Sequence, residues 1–262
     1  LIVVILRISF ASVISEFNNV KKVLVFGLIC SFCYLSFAQK GIDPKLTEVW
    51  EPKVPRVIPY KNAIPSDAIM LFDGKNFDNW TGVNGELLWT LNDDGSMTVK
   101  PKTGSIKTKK SFGSIQLHVE WKSPIDTIGR TGQQRGNSGV FLQELYKIQI
   151  LDNNNNETYS NGQVGSVYKQ SIPLAMASFP TGEWNTYDII YCQPEFDKKG
   201  NVVKKAIITL LHNGILVLDH FEIQGTTVWR GQPSYQIHGK APIMLQDHGC
   251  EVSYRNIWVR EI

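Results

Sequence analysis

The chain has 262 residues, of which 42% are hydrophobic and 19% charged, a balance that belongs to a globular protein and excludes a disordered one. It holds 7 Trp, 9 Tyr and 12 Phe, with 21 Gly and 12 Pro to break it into short pieces, which favours a turn-rich β protein. The net charge is +3; Arg7, Lys21 and Lys22 against Glu16 put +2 of it in residues 1–38, so the remainder is near neutral and offers no electrostatic footprint for nucleic acid.

Residues 1–38 differ in kind from the rest. Lys21 and Lys22 precede an uncharged apolar run over residues 23–38, which closes on Ser36-Phe37-Ala38, small residues at the −3 and −1 positions of a cleavage site. A basic flank, a short apolar run and a small-x-small exit predict a secretory signal peptide, so the protein is expected to be exported and to be periplasmic or outer-membrane-associated. The competing reading is an uncleaved anchor; the run is short for a span, and the mature chain carries no stable one. No Met precedes Met70, and residues 1–19 read as a misassigned extension with the start near Val20. Residues 39–66, with Pro44, Pro52, Pro55, Pro59 and Pro65, read as an extended lead-in over the domain surface. Of the four cysteines, Cys30 and Cys33 lie in the export segment; Cys192 and Cys250 read as buried free thiols, with a disulfide open in an oxidising compartment.

From Ile69 onward the texture is of short apolar runs between turns. Residues 97–100 alternate after an Asp93-Asp94-Gly95 turn. Residues 114–121 alternate strongly, with Ile115, Leu117, Val119 and Trp121 on one face. Further strands are predicted at 138–142, 147–151, 184–192, 206–212, 215–221, 243–246 and 252–259, with Asn213-Gly214 as a hairpin turn. No stretch after Gln39 has a helical period with caps. Ten to fourteen short strands in one domain over residues 67–262 predict an all-β, two-sheet sandwich.

No phosphate loop, nucleophile elbow, zinc motif or Cys-x-x-Cys occurs, so chemistry must come from side chains scattered on a sheet face. The richest segment runs from Arg135 to Asp152. Lys147 and Gln149 share a strand face, and a bulge would bring Asp152 onto it. Sandwich glycosidases use two carboxylates so arranged, but here only Asp152 is acidic, which speaks against that mechanism. The plain alternative is a half-exposed strand. His248, in Leu245-Gln246-Asp247-His248-Gly249, is the best-placed histidine for a base, acid or metal ligand. His212 reads as a turn residue and His118 as part of a solvated face. Tyr146, Tyr168, Trp229 and Tyr235 are candidates to stack on sugar, whereas Trp121, Trp184 and Trp258 read as core.

The order of motifs resembles the 3-keto-disaccharide hydrolase family over residues 67–262. It runs from Leu71-Phe72-Asp73-Gly74-Lys75 through Gly136-Asn137-Ser138-Gly139-Val140-Phe141-Leu142, Tyr146-Lys147-Ile148-Gln149-Ile150-Leu151-Asp152, Gly182-Glu183-Trp184-Asn185 and His212-Asn213-Gly214 to Leu245-Gln246-Asp247-His248-Gly249 and Tyr254-Arg255-Asn256-Ile257-Trp258. The resemblance implies a concanavalin A-like jelly roll of the lectin and glucanase type. It also implies cleavage of 3-keto-disaccharides or 3-keto-glucosides by C2 proton abstraction, elimination at C1 and hydration. Asp152 and His248 would then be base or acid. Lys147, Arg135 or a divalent metal held by His248 and Asp152 would meet the oxyanion. Asn137, Glu144, Gln149, Tyr168 and Gln246 would hold the sugar. Similar sequences carry Glu where this chain has Lys147, which keeps open a second class: a lectin-like carbohydrate-binding module without catalysis. The expected partner in either case is a carbohydrate.

Overall fold

The computed structural model describes residues 64–262, so the expectations for the export segment 1–38 and for the lead-in up to residue 63 lie outside the described residues. Among the described residues no helix is long and apolar enough to cross a membrane. The described residues form fifteen strands, nearly all antiparallel neighbours in two sheets.

The larger sheet runs β13 (Ile215–Glu222), β12 (Ile207–His212), β9 (Asn185–Cys192), β6 (Ile115–Lys122), β15 (Ser253–Glu261), β4 (Met97–Thr98) and β3 (Thr90–Leu91), with β1 (Ile69–Phe72) paired to the far end of β15. The smaller sheet runs β2 (Trp80–Gly82), β5 (Ile106–Phe112), β14 (Ala241–Leu245), β7 (Ser138–Leu142) and β8 (Tyr146–Ile150). A two-stranded ribbon, β10 (Glu195–Phe196) and β11 (Val202–Lys204), stands apart. The expected all-β jelly-roll sandwich is what forms.

The two-residue period of the strands builds the core between the sheets. On β6, Ile115, Leu117, Val119 and Trp121 are buried, while the residues between them face outward. They meet Val140, Leu142, Ile148 and Ile150 of the β7–β8 hairpin and Tyr187, Ile189 and Tyr191 of β9 in one cluster. Strand β5 escaped the sequence reading because Lys107, Lys109 and Lys110 crowd seven residues; Ile106, Thr108 and Phe112 nevertheless point inward. Trp184 corrects the reading of it as core. It is half-buried on the outside, with the Lys122 ammonium 4.6 Å and the Arg255 guanidinium 4.1 Å from its ring centre. Cys192 and Cys250 are both free; Cys250 is buried and Cys192 only partly.

Strand β8 departs from the expected half-exposed pattern, because all five of its residues are buried. Its inner face looks into the core. Its outer face is covered because the chain at 165–168 pairs along its free edge: the Gln149 N–H donates to Ser166 O (2.9 Å), and Gly165 and Tyr168 donate to the Gln149 and Lys147 carbonyls (2.9 and 3.0 Å). The edge is thereby closed, and Lys147 and Gln149, the outward residues, are trapped beneath a loop.

Candidate active site

Two hydrogen-bonding steps bring the site together. Strand β14 pairs with β7, and the Gln246 N–H donates to Gly139 O (3.0 Å), so the segment after β14 lies beside the start of β7. Strand β7 pairs with β8 with Gly139 opposite Gln149 and Phe141 opposite Lys147. Asn137, Lys147, Gln246 and His248, distant in sequence, therefore border one cleft of about 570 Å³.

Lys147 is its centre. Gly139 has no side chain, and the lysine stem fills the space: a Cβ there would sit 2.5 Å from Lys147 Cε. The ammonium reaches Asn137 Oδ1 at 3.4 Å and lies 4.9 Å from the centre of the Tyr168 ring. Lys147 is 4% exposed. Burial, uncompensated by any carboxylate, pulls its pKa down to about 7. His248 stands exposed at the mouth. Its pKa is lowered as well, by desolvation first and then by the nearby Lys147 charge. Its neighbour Asp247 holds the turn, accepting from Gly104 N (3.0 Å) and Gly249 N (2.8 Å).

The floor is a net of amides. Gln133 Oε1 accepts from Gln149 Nε2 (3.0 Å) and Asn137 Nδ2 (3.3 Å), and Gln133 Nε2 donates to Thr158 Oγ1 (2.9 Å) and Gly162 O (2.8 Å). The Oε1 atoms of Gln149 and Gln246 are buried without a hydrogen-bond partner among the described residues. A buried, unpaired carbonyl oxygen is costly unless a ligand donates to it. The roof is aromatic. Tyr168 donates to or accepts from Tyr159 through their hydroxyls (2.6 Å), and Trp229 is 65% exposed on a loop that Thr227 pins to the β7–β8 hairpin: its N–H donates to Leu145 O (2.9 Å), and its Oγ1 accepts from Lys147 N (3.0 Å).

Six sequence-predicted residues thus gather at one place: Lys147, His248, Asn137, Gln149, Tyr168 and Gln246. Three do not. Asp152 does not rejoin the face of Lys147 and Gln149, because β8 ends at Ile150 and the chain turns inward. The Asp152 carboxylate has no exposure and is saturated by Arg135 Nε (2.9 Å), Thr181 Oγ1 (2.9 Å) and Asn154 N (3.0 Å). Arg135 is committed to the same clasp. Glu144 sits in the β7–β8 turn and pairs with Lys107 at 3.0 Å. The metal pair His248–Asp152 is accordingly not assembled, and no group of three or more His, Cys, Asp or Glu side chains suited to a metal occurs among the described residues.

Other readings are also corrected. Tyr146 is fully buried with its hydroxyl 2.6 Å from His238 Nε2, and Tyr235 ties Ala206 N to Ile223 O, so neither stacks on a sugar. His212 is core, wedged between Trp121 and Tyr187, and burial lowers its pKa to about 4. The reading missed Gln133, Phe141, Thr227 and Tyr159. Phe141 alternates with Gly139 on β7 and was legible; the other three come from loops with no local period to mark them.

The sequence profile of the 3-keto-alpha-glucoside-1,2-lyase-like domain matches residues 67–260. A 3-keto-disaccharide hydrolase of Bacteroides thetaiotaomicron is 24% identical over 248 residues, spanning 75% of this chain and 80% of that protein. A solved structure from Parabacteroides distasonis ATCC 8503, provisionally designated a glycosyl hydrolase, is 46% identical, with a TM-score of 0.80 over 85% of this chain and 98% of that one. A second structure of the same source and designation, 22% identical at a TM-score of 0.57 over 75% of this chain and 94% of that one, shares the fold. The chain belongs to the 3-keto-alpha-glucoside-1,2-lyase-like family and is a glycosidase-type enzyme acting on carbohydrate.

Proposed function

We propose that the protein cleaves 3-keto-glycosides by elimination and hydration, with His248 as the base and the Lys147 ammonium as the electrophile. One observation carries this reading: among the described residues the cleft is lined by amides, aromatics, a threonine, a lysine and a histidine, and by no Asp or Glu. Displacement at C1 by paired carboxylates has no carboxylates to use. A ketone at C3 removes that need, because it acidifies the proton at C2.

The lower pKa of the pair marks the base and the higher one the acid. His248, pushed below its ordinary 6.5, is neutral when Lys147, near 7, still holds its proton. The imidazole takes the C2 proton, and the electron pair moves onto the C3 oxygen beside the ammonium. It then returns to form the C1–C2 double bond as the glycosidic C1–O bond breaks and the leaving oxygen takes a proton. Water adds at C1 and a proton at C2, so a 3-keto-sugar and an alcohol are the products. The unpaired Oε1 of Gln246, which borders the cleft, suits a sugar hydroxyl, Gln149 supports Gln133 from beneath, and Trp229 and Tyr168 suit the sugar's apolar face.

The test is incubation with 3-keto-trehalose, following glucose release. Lys147→Met and His248→Ala should each lower kcat/KM at least about a hundredfold, the low end for a group active in the transition state. Near-normal rates in both sink the assignment. Absence of turnover in the unaltered protein, together with binding of ordinary glycans, favours the lectin-like reading instead.

A further inference from the structure

Beside the cleft lies a second hollow, of about 370 Å³, and Tyr159 and Tyr168 line both. Their joined hydroxyls make the pair a shared wall. The residue after Tyr168 adopts the left-handed region, Lys169 at φ +61°, and the Lys169 side chain lines the second hollow while that of Lys147 lines the first. The Lys169 ammonium donates to Trp229 O at 2.7 Å, a carbonyl rather than a carboxylate, and stands 5.7 and 5.9 Å from the Tyr159 and Tyr168 ring centres. Two of its N–H groups are therefore left for a ligand. Asn161, Gln170 and Gln232 add amides, Val228 and Pro233 add the apolar part, and among the described residues no Asp or Glu lines this hollow either.

An ammonium, three amides and two phenol rings around a concave surface suit a ring that carries many hydroxyls, and suit a plain aryl or alkyl group poorly. The wall itself fixes the geometry: a ligand seated in the first cleft against Tyr168 can extend past Tyr159 into the second hollow without leaving the surface. We propose that the second hollow is the leaving-group subsite, that it takes a second sugar ring, and that Lys169 is the residue that sets this preference. The inference rests on the reading of the first cleft as the place where the 3-keto ring reacts.

The experiment compares 3-keto-trehalose with methyl 3-keto-α-glucoside, which has no second ring, in the unaltered protein and in Lys169→Ala. Lys169 is exposed, so the substitution leaves no hole in the core. The ratio of kcat/KM, disaccharide over methyl glycoside, should fall about tenfold in the variant, roughly what one charge-assisted hydrogen bond contributes. An unchanged ratio overturns the subsite. Both proteins are also titrated calorimetrically with trehalose and methyl α-glucoside, which lack the ketone and cannot eliminate. Tighter binding of trehalose, with the advantage lost in Lys169→Ala, supports the subsite; equal or undetectable binding of the two by the unaltered protein overturns it. Should no keto-glycoside be cleaved at all, the cleavage reading fails and the leaving-group role with it, and the titration still decides whether the hollow takes a second sugar ring through Lys169.

Discussion

A lysine buried to 4% exposure with only an asparagine oxygen at 3.4 Å is an expensive residue to keep charged. Its pKa near 7 is the result, and it places the loss of the Lys147 proton inside the working range of an enzyme. His248 titrates below it. The active form in the proposed mechanism has the histidine neutral and the lysine charged, so kcat/KM should rise as pH passes the lowered His248 pKa, below 6.5, and decline above about 7 as Lys147 loses its proton. A pH–rate profile on 3-keto-trehalose checks this. A rate that continues to climb to pH 9 would assign the proton abstraction to neutral Lys147 instead. Both residues were legible from sequence as chemistry-bearing, Lys147 by its place on a polar strand face and His248 by its flanking Gln and Asp. Their roles were not, because a pKa depends on what covers the group, and the cover on Lys147 comes from Tyr168 and the amide net.

At the scale of elements, the β7–β8 hairpin carries the floor of the site, and the clasp of Asp152 with Arg135 and Thr181 holds its exit. Asp152→Asn leaves the Arg135 charge without its partner in a largely buried position. The expected loss is about 3 kcal/mol, a fall in the melting midpoint of roughly 6–12 °C for a domain of this size. Activity should change far less than in the Lys147 and His248 variants; thermal denaturation and kcat/KM measured together check both. A second network crosses the outer face of the large sheet. His118 Nδ1 lies 2.7 Å from Asp188 Oδ1, and Glu120 accepts from Arg255 Nε (2.6 Å) and Asn256 Nδ2 (2.7 Å). Burial alone would lower the His118 pKa, but the hydrogen bonds and charges of Asp188 and Glu120 outweigh it and raise the value to about 9. A raised histidine stabilises the fold fully below its ordinary 6.5 and ceases to do so as pH rises through 9. Glu120, held down to about 2 chiefly by His118, contributes above 4.5 and fails as pH falls toward 2. Stability should therefore drop by on the order of 2 kcal/mol between pH 6.5 and 9, and His118→Gln should flatten that limb of the melting curve. The sequence reading put His118 on a solvated face. The face was right, and the neighbours that bury it came from β9 and β15.

At the scale of the whole molecule, alternation along β6, short apolar runs at β7 and β12 and the Asn213-Gly214 turn were enough to give the sheet class, because the side-chain period of a strand is a local property. Asn213 and Gly214 both take positive φ, as that turn requires. Local signals failed where another part of the chain decided the environment. Strand β8 looked half-exposed and is wholly buried, because residues 165–168 close its edge. Trp184 looked like core and lies between two cations on the outside. Asp152 looked like a site residue, and its carboxylate is turned away and used up. Residue types, spacing and the order of motifs by themselves determined that this is a β sandwich of a carbohydrate-acting family, with Lys147, Gln149, Gln246 and His248 as chemistry-bearing positions. The tertiary structure alone decided that Lys147, Gln246 and His248 border one cleft with Gln149 beneath it while Asp152, Arg135 and Glu144 stay away, and that among the described residues no carboxylate borders it. The reason is physical: strand period is fixed by neighbours two residues away, whereas burial, charge partners and pKa are fixed by contacts across strands far apart in sequence.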